Sequence, residues 1–119
     1  MRFFVSYARR DNSADALRQI AAMVPDATSI YIDDLETHAA GVDRVKKVVD
    51  ALMSADVFIA VQSTHYLKTE WTRWEFETAL QGRAEIRALL TDGEFAHWGD
   101  PGWPWSSDET NERVVSAAR

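Results

Sequence analysis

Two hydrophobic rhythms alternate along this chain, and their alternation predicts the fold class before any single residue is weighed. Phe3-Phe4-Val5-Ser6-Tyr7 is aromatic and β-branched, the composition of a strand, and ends at the polar stretch Ala8-Arg9-Arg10-Asp11-Asn12. Leu17, Ile20, Ala21 and Val24 then recur at helical spacing behind a cap at Asn12 or Ser13, until Pro25 stops the pattern. Thr28-Ser29-Ile30-Tyr31-Ile32 predicts a second strand. An acidic segment, Asp33-Asp34-Leu35-Glu36, follows in a loop reaching Gly41. Val42, Val45, Val49 and Leu52 mark one side of a second helix, with Asp43, Lys46, Lys47 and Asp50 turned outward. Asp56-Val57-Phe58-Ile59-Ala60-Val61 is nearly continuous apolar, as expected of a strand covered on both faces.

The next stretch, Leu67 to Leu80, reads as a third helix. At about 100° per residue, Leu67, Trp71, Trp74 and Thr78 share a face, while Glu70, Arg73 and Glu77 form a charged flank. Glu75 falls between Trp71 and Ala79, on the apolar side, where an ionised carboxylate needs compensation for lost water. The bland alternative is a rim carboxylate reaching solvent. Ile86 to Leu90 predicts a fourth strand, Phe95 to Trp98 a brief edge strand, and Ser106-Ser107-Asp108-Glu109 a cap for a terminal helix with Val114 and Val115.

Strands alternating with helices imply an α/β domain with a central parallel sheet of four to five strands. Right-handed crossovers place helices on both faces, and ligands then bind beyond the carboxyl ends of the strands. The candidate site is therefore built from the loops after Tyr7 and Ile32 and the segment Gln62 to Tyr66. A chain of 119 residues suits a single domain, 1–119. The absence of cysteine excludes disulfides, thiolate metal sites and a cysteine nucleophile. A net charge of −6 argues against nucleic-acid binding, and no apolar run is long enough to span a membrane. A start on Met1-Arg2-Phe3 lacks a signal-peptide pattern, so a cytoplasmic location is expected.

Several residues carry candidate chemistry beside plainer readings. Arg9 and Arg10, near a helix N-terminus, suit a pyrophosphate, or else a solvated loop. Tyr7 and Tyr31 suit stacking on a ring, or else core packing. Asp33, Asp34 and Glu36 resemble a metal cluster in composition alone. His38, His65 and His97 lack zinc-type spacing, so no metal is assigned. The cluster of Trp98, Trp103 and Trp105 is expected to cover an edge of the core, with subunit packing as the alternative.

Taken in order, the strand Phe3 to Tyr7 with its charged loop, the acidic loop ending in Gly41, and Ser63 with Tyr66-Leu67, Trp71 and Glu75 resemble the Toll/interleukin receptor (TIR) domain. The resemblance runs from Phe3 to about Leu90, and Trp71 with Glu75 is its most telling part. Ala40, Thr69 and Thr72 stand where the family often has Pro, Ser and Cys. The resemblance implies a flavodoxin-like, three-layer α/β/α fold and one of two behaviours, cleavage of NAD+ or self-association. It places the catalytic carboxylate at Glu75, with Tyr7, Arg9, Arg10, Tyr31, Asp33, Ser63, Trp71 and Trp74 as substrate-binding candidates.

The chemistry fits a lone carboxylate. Breaking the nicotinamide–ribose bond builds positive charge on the sugar and releases a neutral pyridine that needs no general acid. Trp71 and Trp74 are expected to lower the dielectric around Glu75. On this reading NAD+ is a substrate and no cofactor is needed, the products being nicotinamide and ADP-ribose or a cyclic form. Partners would be further copies or another TIR protein, in a role such as antiviral defence. The competing readings are a non-catalytic interaction module using the Asp33 to Gly41 loop, and a nucleoside or nucleotide N-glycosidase or deoxyribosyltransferase.

Overall fold

Strand β1 spans Arg2–Ser6, β2 Ser29–Tyr31, β3 Val57–Val61, β4 Glu85–Leu89 and β5 Phe95–His97, and they form one sheet in the order β2-β1-β3-β4-β5. The computed structural model describes residues 1–24, 29–36, 40–41, 43–106 and 109. The expected start of the second strand at Thr28, the loop residue His38, Val42 and the terminal helix with Val114 and Val115 lie outside the described residues. The first four strands are parallel, whereas β5 runs antiparallel to β4. Five residues separate Leu89 from Phe95, which suffices for a hairpin and is too short for a crossover.

Among the described residues the α-helices are α1 (Ala14–Ala22), α2 (Arg44–Ser54) and α3 (Glu70–Gln81), each started by a side chain that accepts a backbone N–H. Ser13 accepts from Ala16, Asp43 from Lys46 and Thr69 from Thr72, which satisfies amides that have no partner inside the helix. Leu17 and Ile20 of α1 join Phe3, Val5, Val57 and Ile59 in a core on one face of the sheet. Val48 and Leu52 of α2 and Phe76 and Ala79 of α3 join Phe4, Phe58 and Ala60 on the other. The chain is thus a three-layer, flavodoxin-like α/β/α fold, and its winding reverses between the adjacent strands β1 and β3. That reversal opens a crevice at their carboxyl ends.

Two helix faces differ from the pattern. On α2 the buried stripe is Val48 and Leu52, and Val45 is exposed. On α3 the buried residues are Thr72, Glu75, Phe76 and Ala79, while Trp74 is 38% exposed. Leu67 precedes that helix in a left-handed conformation with φ 67. Hydrophobicity misplaces the face because two of its buried side chains are polar and satisfied. The Thr69 and Thr72 hydroxyls lie 2.8 Å apart, and Glu75 is hydrogen-bonded from β1. Trp98, Trp103 and Trp105 pack edge-on in series, with Trp98 and Trp103 also against Phe76 and Trp105 against Tyr66, so this stretch covers an edge of the core beside α3, as expected.

Because Thr69 is both cap and buried partner, Thr69→Ala is expected to cost about 1–2 kcal/mol of stability. Urea unfolding measures it, and an unchanged midpoint would show that α3 starts without its cap.

Candidate functional site

Alternation along β1 decides which side chains reach the site. Phe4 lies in the core beneath α2 and α3, whereas Phe3, Val5 and Tyr7 belong to the α1 side. Ser6, two residues after Phe4, therefore projects under α3. Its Oγ donates to Glu75 Oε1 at 2.8 Å. The other carboxylate oxygen, Oε2, accepts from the indole Nε1 of Trp71 at 3.0 Å, one helical turn earlier. Glu75 is 1% exposed. An acidic side chain that deep is kept by hydrogen bonds to both oxygens, each of which contributes about 1.5–3 kcal/mol when the acceptor is charged. Behind Ser6, the hydroxyl of buried Tyr66 donates to Ser6 Oγ at 2.8 Å.

A second polar cluster forms where β1 and β2 end. The Tyr7 hydroxyl donates to Asp34 Oδ2 at 2.6 Å and accepts from the Asp34 backbone at 2.9 Å. Arg9 grips the same carboxylate with two nitrogens, at 3.1 and 2.7 Å. That hydrogen bond raises the guanidinium above its ordinary value, outweighing partial burial. Asp33, 2% exposed, accepts from the Tyr31 hydroxyl at 2.7 Å and from Arg44 Nη2 at 2.9 Å. Tyr31 itself stacks on Phe4 with ring centroids 5.5 Å apart. Between these elements Arg9, Arg44, Val45, Val48 and Trp71 line a cleft of about 230 Å³. Trp71 belongs both to this lining and to the hydrogen-bond shell of Glu75.

On the far side of the first loop, Asp11 ties the loop after β1 to the segment after β3. It accepts from Ser63 Oγ at 2.6 Å and the His65 amide at 2.7 Å, and its Oδ1 lies 2.6 Å from His65 Nδ1. Burial alone would raise the Asp11 carboxyl; the hydrogen bonds from Ser63 and His65 outweigh it and hold the group below its ordinary range.

Compared with known domain families, the chain matches the TIR domain over residues 3–106. The chain belongs to the TIR domain family. No curated protein matches it significantly. The TIR family includes enzymes that cleave NAD+ and members that act as scaffolds. Within this TIR chain the described helices contain none long and apolar enough to cross a membrane.

Of the sequence-named residues the TIR fold places Arg9 and Trp71 in the cleft lining; Glu75 is bonded to Trp71, Tyr7 shares Asp34 with Arg9, and Tyr31 shares Asp33 with the lining residue Arg44. Three of the sequence-named residues sit elsewhere. Arg10 is exposed and outside the cleft lining, because the turn at Arg9–Asp11 separates neighbouring side chains. Ser63 is held by Asp11, toward a different pocket lined by Gln62, Tyr66 and Trp105. Trp74 packs on Trp71 with centroids 5.4 Å apart and is partly exposed at the surface, and Trp71 is the one of the two that bonds to Glu75. Sequence reasoning missed Ser6, Arg44, Val45 and Val48, and had Tyr66 only as the end of the segment after β3. The period-2 alternation of β1 carried a signal for Ser6, the one buried polar residue of that strand.

The Asp11 carboxyl titrates lower folded than unfolded, so its contribution is complete above the ordinary carboxylate range and fades as pH falls through the depressed value. Asp11→Asn is therefore expected to lower the melting temperature at neutral pH, with the deficit narrowing below about pH 4. A deficit independent of pH in melts across that range would contradict this role.

Proposed function

We propose that this TIR domain is an NAD+ nucleosidase that cleaves the nicotinamide–ribose bond with Glu75. One observation carries the reading: a buried, hydrogen-bonded carboxylate stands one side chain away from a cleft that offers both cations and an indole face. Arg9 and Arg44 supply charge for the pyrophosphate, and Trp71 supplies a flat surface for a ring. Val45 and Val48 make the opposite wall apolar, which strengthens the field of Glu75 at the sugar.

In the reaction the bond between C1′ and the pyridinium nitrogen breaks, and its electron pair returns to the ring, which leaves as neutral nicotinamide. Positive charge grows on C1′ and the ring oxygen of the ribose. Glu75 stabilises it, or bonds to C1′ transiently. Water then adds to C1′ and loses a proton, giving ADP-ribose; an internal nucleophile in its place gives a cyclic product. The cleft is smaller than the roughly 300 Å³ of a typical ligand pocket, and Glu75 is sealed by Trp71. Productive binding therefore requires the indole to leave Glu75 Oε2 and pack on the substrate.

The same sealing favours a second reading, an interaction module in which Glu75 is purely structural and the domain self-associates. Nicotinamide release from NAD+, followed by chromatography at high protein concentration, separates the two. The enzyme reading expects turnover and a loss of at least about 100-fold in kcat for Glu75→Gln. Full activity in that variant would move the catalytic role to another residue. Arg44→Ala, which removes a cleft cation, is expected to raise KM about tenfold through a loss of roughly 1.4 kcal/mol, with a smaller effect on kcat. An unchanged KM would place the pyrophosphate elsewhere.

A further inference from the structure

We infer that Ser6 and Tyr66 are positioning residues for Glu75, forming a one-way hydrogen-bond relay that fixes which carboxylate oxygen faces the cleft. The inference rests on the nucleosidase reading for its consequence in catalysis and on the geometry alone for the relay itself. Three side chains from three parts of the fold meet in sequence: Tyr66 Oη donates to Ser6 Oγ at 2.8 Å, and Ser6 Oγ donates to Glu75 Oε1 at 2.8 Å. All three are buried to within 1% of full enclosure.

The direction of the relay follows from what each group can do. An ionised carboxylate accepts only, so the single proton of Ser6 is committed to Glu75. That leaves the lone pairs of Ser6 to accept from Tyr66. The phenol does not give its proton up, because burial raises it well above its ordinary range and the nearby Glu75 charge adds to that, beyond the opposing hydrogen bond to Ser6. Trp105 packs on the Tyr66 ring at 5.0 Å between centroids, and the ring is enclosed by core residues. The aromatic stretch after β5 thus holds the outer end of a relay whose inner end is the carboxylate.

The consequence is an unequal pair of oxygens. Oε1 is capped from beneath by a strand residue. Oε2 is turned to Trp71, the side chain that lines the cleft. Charge-assisted hydrogen bonds in series in a low-dielectric setting polarise one another, so Ser6 with Tyr66 behind it is a stronger donor than Ser6 alone. Losing the relay leaves Glu75 easier to protonate and less firmly oriented. The cations on the facing wall, Arg9 and Arg44, are paired with Asp33 and Asp34 and keep those partners when the relay is altered.

Indole ¹⁵N–¹H NMR tests this without needing activity, because the Trp71 Nε1 proton sits on Glu75 and reports its protonation; Trp71→Phe assigns the signal. In a pH titration Ser6→Ala is expected to move the midpoint of that signal upward by about one unit. Tyr66→Phe, which keeps the ring and its packing, moves it the same way by less. The double variant moves it no further than Ser6→Ala, since Tyr66 acts through Ser6. Ser6→Thr, which retains the hydroxyl, restores the midpoint. With NAD+, Ser6→Ala lowers kcat about tenfold and leaves KM nearly unchanged. A midpoint unmoved in Ser6→Ala, or shifts in the double variant that simply add, overturns the relay. The expected midpoint shifts in a protein that releases no nicotinamide uphold the relay and overturn the nucleosidase reading instead.

Discussion

A carboxylate beneath α3 is the constraint around which the described fold is arranged. Glu75 is nearly free of solvent contact, and such a group is tolerated only where fixed dipoles replace the water it has lost. The fold delivers those dipoles from two directions, Ser6 from the strand beneath and Trp71 from one turn back on the same helix. The first depends on the parallel sheet, since Ser6 reaches α3 only because β1 and β3 are neighbours, and the second on helical spacing alone. An Ala at the position of Ser6 would fill the space and leave Oε1 without that donor.

The second cluster shows a similar economy. Asp33 and Asp34 are adjacent in sequence, yet one is buried against Arg44 and Tyr31 while the other is gripped by Arg9 and Tyr7. Two arginines are thereby held at the mouth of the cleft by ion pairs that a phosphate would have to rival. The Arg9–Asp34 pair, with both groups partly exposed, adds little to stability and serves mainly to set geometry, whereas Asp33 is buried and depends on Arg44 and Tyr31 for its hydrogen bonds.

Much of this was legible in the sequence, for physical reasons that can be named. The continuous apolar run of β3 and the alternation of strand and helix fixed the layered fold, because only buried parallel strands need that pattern. Glu75 stood out because it interrupts an apolar face. What stayed hidden depends on distance across the fold. Ser6 and Tyr66 are 60 residues apart and Ser6 and Glu75 are 69 apart, so their meeting has no local signature. Trp74 was expected beside Trp71 at the carboxylate. A hydrophobicity pattern cannot anticipate that Thr72 and Glu75, with hydrogen bonds of their own, would displace it to the surface. The antiparallel direction of β5 was not read from the sequence, although its five-residue connection is too short for a crossover, whereas the tryptophans after it were expected to cover an edge of the core and do pack on Phe76 and Tyr66.

The central claim is that Glu75 meets the anomeric carbon through the cleft shared with Trp71. A crystal structure of the protein with a carbocyclic NAD+ analogue, which resists cleavage, tests it most directly. The expected result places the analogue's C1′ within about 3.5 Å of Glu75 Oε2, with the Trp71 indole displaced from that oxygen and Ser6 still bonded to Oε1. An analogue bound away from the cleft, with the Trp71 to Glu75 hydrogen bond intact, would contradict the assignment.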